Sequence, residues 1–98
     1  MRILYEVHGF VQGVGYRAYV AGIAEKIGVS GFVRNTSDGS VEILAIGDKS
    51  KLDNFEKDIN ITIGNIEVKK IEKYTEDKLS KEFMKNYNRF IIEKTVKR

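Results

Sequence analysis

The sequence predicts an α+β sandwich, a single domain over residues 1–98 with two helices on one face of an antiparallel sheet of four to five strands. Three observations predict it. Apolar residues alternate with period two in several short runs. Two other runs carry apolar residues at helical spacing. The order is strand, helix, strand, strand, helix, strand, with a short strand closing the chain, which is the split βαβ pattern (βαββαβ) of ferredoxin-like sandwiches. A chain of 98 residues is long enough for one core without disulfides or a structural metal.

Each element has its own signal. In residues 2–8, Ile3, Tyr5 and Val7 fall on one side and Arg2, Glu6 and His8 on the other, a half-buried strand. His8, the only histidine, reads as a half-exposed structural residue at the strand's end. A loop over 9–16 holds Gly9, Gly13 and Gly15. From Ala18 to Ile27 the stripe Val20, Ile23, Ala24, Ile27 marks a helix, and Gly28 fits a left-handed helix end. Val29 to Asn35 and Val41 to Ile46 are strands, and Asp38-Gly39 between them is a hairpin signal. Ser50 with Asp53 suggests a capped start for a second helix carrying Leu52, Phe55 and Ile59. Ile66 to Tyr74 is a strand whose alternation slips at Lys69-Lys70, where a bulge is expected. Residues 75–86 are polar, with Leu79 and Phe83 placed on a short helix, and Tyr87 to Val96 reads as the last strand.

Composition excludes several chemistries. With no Cys, disulfides, thiol catalysis and Cys-ligated zinc or iron–sulfur sites are ruled out. A single His rules out a multi-histidine metal centre, and no metal or cofactor is expected. No apolar run approaches the ~20 residues of a membrane span, and Met1-Arg2 leads into a strand without a signal-peptide pattern. A cytoplasmic protein without membrane partners is therefore expected. Residues 1–48 hold four basic and five acidic residues, and 49–98 hold thirteen and nine. The basic excess is mostly Lys mixed with Glu, a solvated surface rather than a nucleic-acid face, because no block of five or six like charges occurs. Abundant Lys and Glu with a single Gln resembles thermophile usage.

The run Gly9-Phe10-Val11-Gln12-Gly13-Val14-Gly15-Tyr16-Arg17 joins the first strand to the first helix. Its glycines permit positive φ, so successive N–H groups can converge as an anion-binding nest. The following helix adds its positive end, and Arg17 supplies a planar fork suited to phosphate oxygens. The residues therefore describe a compact site for a phosphate-sized dianion. Gly13-Val14-Gly15-Tyr16-Arg17-Ala18 also spells G-x-G-x-x-A. As a dinucleotide fingerprint it fails, because the chain is too short for two βαβ halves and the element order predicts an antiparallel sheet. Taken alone, Asn35, Ser37 and Asp38 are most simply turn formers.

Taken together, Gly9 to Arg17, Gly28-Val29-Ser30-Gly31-Phe32-Val33-Arg34-Asn35 and Asp38-Gly39-Ser40-Val41-Glu42 closely resemble the signature blocks of the acylphosphatase family. The resemblance is strong over residues 3–47 and rests elsewhere on element order. It implies a metal-independent hydrolase of acyl phosphates with the ferredoxin-like fold. It further implies that Gln12, Gly13, Val14, Gly15, Tyr16 and Arg17 bind the phosphate and that Asn35 holds the attacking water. No phosphoenzyme is implied. The expected partner is a small-molecule acyl phosphate, with no nucleic acid, and the expected state is a monomer. Two stretches depart from the family pattern. Residues 61–66 lack the Gly-Pro turn of many members, and 69–86 are unusual. Acylphosphatase-like domains also open larger carbamoyl-transferring proteins that continue with zinc-binding segments; the absence of Cys favours a free-standing enzyme. Two other classes compete. One is an anion-binding module, which would not need Asn35. The other is an RNA-binding domain, which needs aromatics such as Tyr5 or Phe32 on an open sheet face.

Overall fold

In the computed structural model, which describes all 98 residues, one sheet of six strands carries both helices on a single face. The elements are β1 (Arg2–Phe10), α1 (Tyr16–Ile27), β2 (Ser30–Asn35), β3 (Val41–Ile46), α2 (Lys49–Ile59), β4 (Thr62–Ile63), β5 (Ile66–Thr75) and β6 (Phe90–Ile92). The strand order is β4-β5-β1-β3-β2-β6. The α+β sandwich is as expected, with two differences at the edges. A two-residue β4 extends the sheet beyond β5, and β6 joins β2 in parallel, Phe32 opposite Ile91, so the sheet is mixed. The final strand covers only 90–92; beyond it the Glu93 N–H still donates to the Val33 carbonyl at 2.9 Å, and a single bridge, Thr36 to Val96, follows. No helix is long and apolar enough to cross a membrane.

The helix-side core forms where the alternation said it would. Ile3, Tyr5 and Val7 of β1, Val41, Ile43 and Ala45 of β3, Val20 and Ala24 of α1, and Leu52, Phe55 and Ile59 of α2 share one buried cluster. Gly28 closes α1 with φ 91° and donates its N–H to the Ala24 carbonyl. The bulge falls at Lys69. His8 faces Lys70 while Gly9 faces Val68, leaving Lys69 without a partner. The second helix starts earlier than expected. Asp48, not Ser50, is its cap, its carboxylate accepting from the Lys51 N–H at 2.9 Å. Both residues are competent caps, and the short turn after β3 puts Asp48 at the boundary.

The opposite sheet face is covered, not open. Two single turns of 3-10 helix, Glu76–Lys78 and Lys81–Phe83, with Leu79 between them, replace the expected short helix. They lay Phe83 against Leu4, Phe32 and Leu44 in a second core. Arg2 holds this strap down, donating to the carbonyls of Phe83 (2.7 Å) and Lys85 (2.8 Å). Glu42, also on this face, is buried and accepts from Arg34 at 2.7 Å and Arg98 at 3.0 Å, which ties the chain's end to the sheet. Tyr5 lies in the helix-side core and Phe32 lies under Phe83 and Tyr87. The aromatic platform of an RNA-binding sheet is not formed by either residue.

Candidate active site

The connection from β1 to α1 carries Gly13, Gly15 and Arg17, the residues expected to shape an anion site. Gly13 has φ 72° and Gly15 φ 85°, and a side chain at either would meet open space. Only the backbone conformation demands glycine there. Gly15 is the residue from which α1 springs, and its carbonyl takes the Tyr19 N–H. The N–H groups of Gln12, Gly13, Val14 and Gly15 donate to no group of the protein. Those of Tyr16 and Arg17, in the first helical turn, have no carbonyl four residues back inside the helix. The first turn of α1 holds no acidic residue to compete for them. Arg17 is half-buried and enters no ion pair. A cluster of unspent N–H donors, a helix's positive end and a free guanidinium together form an electropositive cradle.

A cavity of about 180 Å³ opens over this loop, lined by Gly13, Gly15, Tyr16 and Arg17 and roofed by Ile92 of β6. It is several times the volume of one water, about 30 Å³. Larger depressions of about 660 and 770 Å³ lie elsewhere. The first mixes Lys57 and Lys73 with Asp53 and Glu56, so its charges cancel. The second runs between α1 and β6 and lies away from the loop's free amides. The unspent N–H donors and Arg17 lie at the smaller site.

The expected site residues fall into separate roles. Gln12 points its amide away from the cradle, donating to the carbonyls of Thr36 at 2.9 Å and Ser40 at 2.7 Å. Its side chain is a strut between the loop and the β2–β3 hairpin, so only its N–H remains for an anion. Tyr16 is fully buried, and its hydroxyl donates to the Ile59 carbonyl at 2.8 Å, pinning α1 to α2. Burial pushes that phenol's pKa well above the ordinary tyrosine range. Val14 packs against the main core. Asn35 does not line the cavity. It ends β2 opposite Val41, next to Thr36, one of the two residues that Gln12 grips.

Asn35 is unusual in another respect. Its Oδ1 is buried and has no hydrogen-bond partner. The turn it precedes is built by other residues. Asp38 accepts from Thr36 Oγ1, from the Ser40 N–H at 3.0 Å and from Ser40 Oγ at 2.7 Å. Those three donors, the Thr36 hydroxyl foremost, hold the Asp38 carboxyl down to about 2. Turn chemistry therefore explains Asp38 and leaves the Asn35 side chain unexplained. Buried polar atoms without partners are rare enough to need a reason.

Sequence reasoning missed Thr36 and Ile92. Thr36 both shapes the turn and supplies a carbonyl to Gln12. Ile92 reaches the cavity only because β6 pairs in parallel with β2. A threonine within a turn and an isoleucine within a terminal strand carry no signal of either role.

Known proteins are similar to this chain in sequence and fold. The family model described as Acylphosphatase matches residues 3–92. An acylphosphatase of Synechococcus sp. is 52% identical over 48 residues, which are 49% of this chain and 41% of that protein. Here, as with several curated relatives, the matched segment spans about half of the relative's length. An acylphosphatase of Archaeoglobus fulgidus is 39% identical over 71 residues, covering 67% of this chain and 80% of its own. The crystal structure of acylphosphatase from Bacillus subtilis superposes with a TM-score of 0.81 at 33% identity, over 94% of this chain and 97% of that one. The fold, the glycine loop opening into α1 and the match along nearly the whole chain thus agree, and the chain belongs to the acylphosphatase family.

Proposed function

We propose that this acylphosphatase, as a single domain over residues 1–98, cleaves the carboxyl–phosphate bond of acyl phosphates by direct attack of a water held at Asn35. Arg17 and the N–H groups of Gln12 to Arg17 bind the phosphate oxygens. Phosphoryl transfer needs mainly positioning and charge stabilisation, and donors already fixed in place give both without reorganisation. The water oxygen forms a bond to phosphorus while the bond from phosphorus to the acyl oxygen breaks. The electron pair leaves with the carboxylate, already a good leaving group. The water's proton passes to a phosphate oxygen, and inorganic phosphate is released. Asn35 cannot act as a base, because its amide only donates and accepts hydrogen bonds. Its part is orientation.

The observation that carries this reading is the set of N–H groups from Gln12 to Gly15 that donate to nothing in the protein, beside the unpaired guanidinium of Arg17. The part given to Asn35 is supported by its amide, which the adjoining turn of Thr36, Asp38 and Ser40 leaves unspent at Oδ1. A module that merely binds an anion has no use for it. Positive charge comes from Arg17, loop amides and a helix end, so the reaction proceeds without a metal. The reading includes action as a cytoplasmic monomer on a small-molecule substrate, every residue of the proposed site coming from one chain.

Hydrolysis of benzoyl phosphate in ¹⁸O-labelled water with EDTA present tests the proposal. Phosphate carrying the label and unlabelled benzoate are expected, at a rate that EDTA leaves unchanged. Label in the benzoate would place the attack at carbon and refute the water-on-phosphorus step. Loss of the rate with EDTA, restored by Mg²⁺, would refute the metal-free site.

A further inference from the structure

On the strap-covered sheet face, away from the glycine loop, three glutamates line up across adjacent strands. Glu6 of β1 stands opposite Glu42 of β3 on one side and opposite Glu72 of β5 on the other. Like charges directly opposed across a ladder are destabilising. Glu42 is neutralised by Arg34 and Arg98. Between Glu6 and Glu72 stands His8, whose Nε2 is 3.1 Å from Glu6 Oε1 and 3.0 Å from Glu72 Oε1. An imidazole nitrogen carries at most one hydrogen, whether the ring is neutral or charged. One hydrogen therefore serves two carboxylate oxygens that approach equally closely.

We propose that Glu6, His8 and Glu72 form a binding site for a divalent first-row transition cation such as Zn²⁺. All three donor atoms lie within 4.8 Å of one another and all three residues are half-buried, so they are partly ordered and yet reachable. Metal–nitrogen and metal–oxygen bonds are about 2.1 Å long. With His8 Nε2 at 3.0–3.1 Å from each carboxylate oxygen, a cation bonded to Nε2 and either oxygen closes an angle of about 90° at that bond length. That is the angle between neighbouring ligands of an octahedral or five-coordinate ion, with the remaining positions open to water. One imidazole with two carboxylates suits Zn²⁺, Co²⁺ or Mn²⁺ more than Ca²⁺ or Mg²⁺, which prefer oxygen alone. The Glu72 carboxyl is drawn down first by its hydrogen bond with His8 and then by Lys70, which stands opposite His8 across the ladder and opposes cation binding. His8 is the last residue paired in register before the bulge at Lys69. A cation there cross-links β1 to β5 where β1 departs for the phosphate loop.

Isothermal titration of the metal-free protein with ZnCl₂ tests this, with a parallel thermal melt. One equivalent is expected to bind saturably and to raise the melting temperature, because a ligand held by the folded state alone stabilises it. His8→Ala and Glu72→Gln should each weaken binding by more than the ten- to hundredfold that loss of a ligand's supporting partner costs. Circular dichroism reports whether each variant is folded. Titration with Co²⁺ adds a visible spectrum that either variant should abolish. Absence of saturable binding at millimolar Zn²⁺ would overturn the proposal and leave His8 as a proton-sharing bridge. Binding that survives unchanged in both folded variants would overturn it equally. Benzoyl phosphate hydrolysis should be the same with and without the metal, so this outcome is independent of the catalytic reading.

Discussion

Replacing Asn35 with Ala separates a catalytic amide from a structural one, because loss of the first lowers turnover and loss of the second lowers stability. The Asn35 backbone keeps its bonds in the variant, including the one accepted from the Val96 N–H at 3.0 Å. The side chain gives up no hydrogen bond at Oδ1, which has none. A buried polar atom without a partner costs about 1–3 kcal/mol, and truncation removes that cost while losing some packing. Folding stability should therefore change by less than about 1 kcal/mol, in either direction. Turnover should behave differently. Loss of one preorganised polar contact to a transition state costs about 10²–10³ in kcat, or about 2.7–4 kcal/mol. Phosphate binding rests on Arg17 and the loop amides and should stay within a few-fold of the parent. The assay combines kcat on benzoyl phosphate, competitive inhibition by inorganic phosphate and the thermal midpoint on one preparation. A folded Asn35→Ala enzyme with ordinary turnover would refute the reasoning. So would a variant whose loss of activity merely tracks a lower midpoint.

Three further outcomes follow from the same geometry. Arg17→Gln should abolish measurable hydrolysis and weaken phosphate inhibition in parallel, and Arg17→Lys should recover little because the planar fork is lost; unchanged phosphate affinity in Arg17→Gln would move the anion site. Gln12→Ala gives up two hydrogen bonds, at 2.9 and 2.7 Å, worth together about 1–3 kcal/mol of stability. Gln12→Glu should be worse, since a carboxylate faces two carbonyls, and an unaffected melting temperature in both variants would remove the strut. The Asp38 carboxyl, held down to about 2 by the Thr36 and Ser40 donors, gives stability that is fully present above its ordinary value near 4. That stability is lost as pH falls from there through about 2. Acid unfolding of the parent should steepen in that window, and Asp38→Asn, which cannot titrate, should flatten it.

The glycine turn into α1 and the helix-side core were legible along the chain because both depend on short spacings. Gly13 and Gly15 announce positive φ locally, and each is followed within a few residues by the helix that orients the amides. The stripe Leu52, Phe55, Ile59 and the alternation Ile3, Tyr5, Val7 report burial through period alone. The slip at Lys69 was visible for the same reason, since a bulge breaks the period where it occurs.

Tertiary structure decided the rest. Gln12 sits within the glycine loop, yet its side chain serves a hairpin 24 and 28 residues away. The strap over 76–87 looked polar because it touches the sheet with only a few residues, chiefly Leu79, Phe83 and Tyr87. Its place was set by Arg2, 81 residues earlier. The choice of Asp48 over Ser50 as cap depended on where β3 released the chain. Parallel pairing of β6 with β2 brought Ile92 over the loop, and no local pattern encodes a partner strand. Local periodicity determines which face of an element is buried. What covers that face, and which polar atom is left without a partner, depends on contacts between residues far apart in sequence, where the orphaned Oδ1 of Asn35 and the shared hydrogen of His8 both arise.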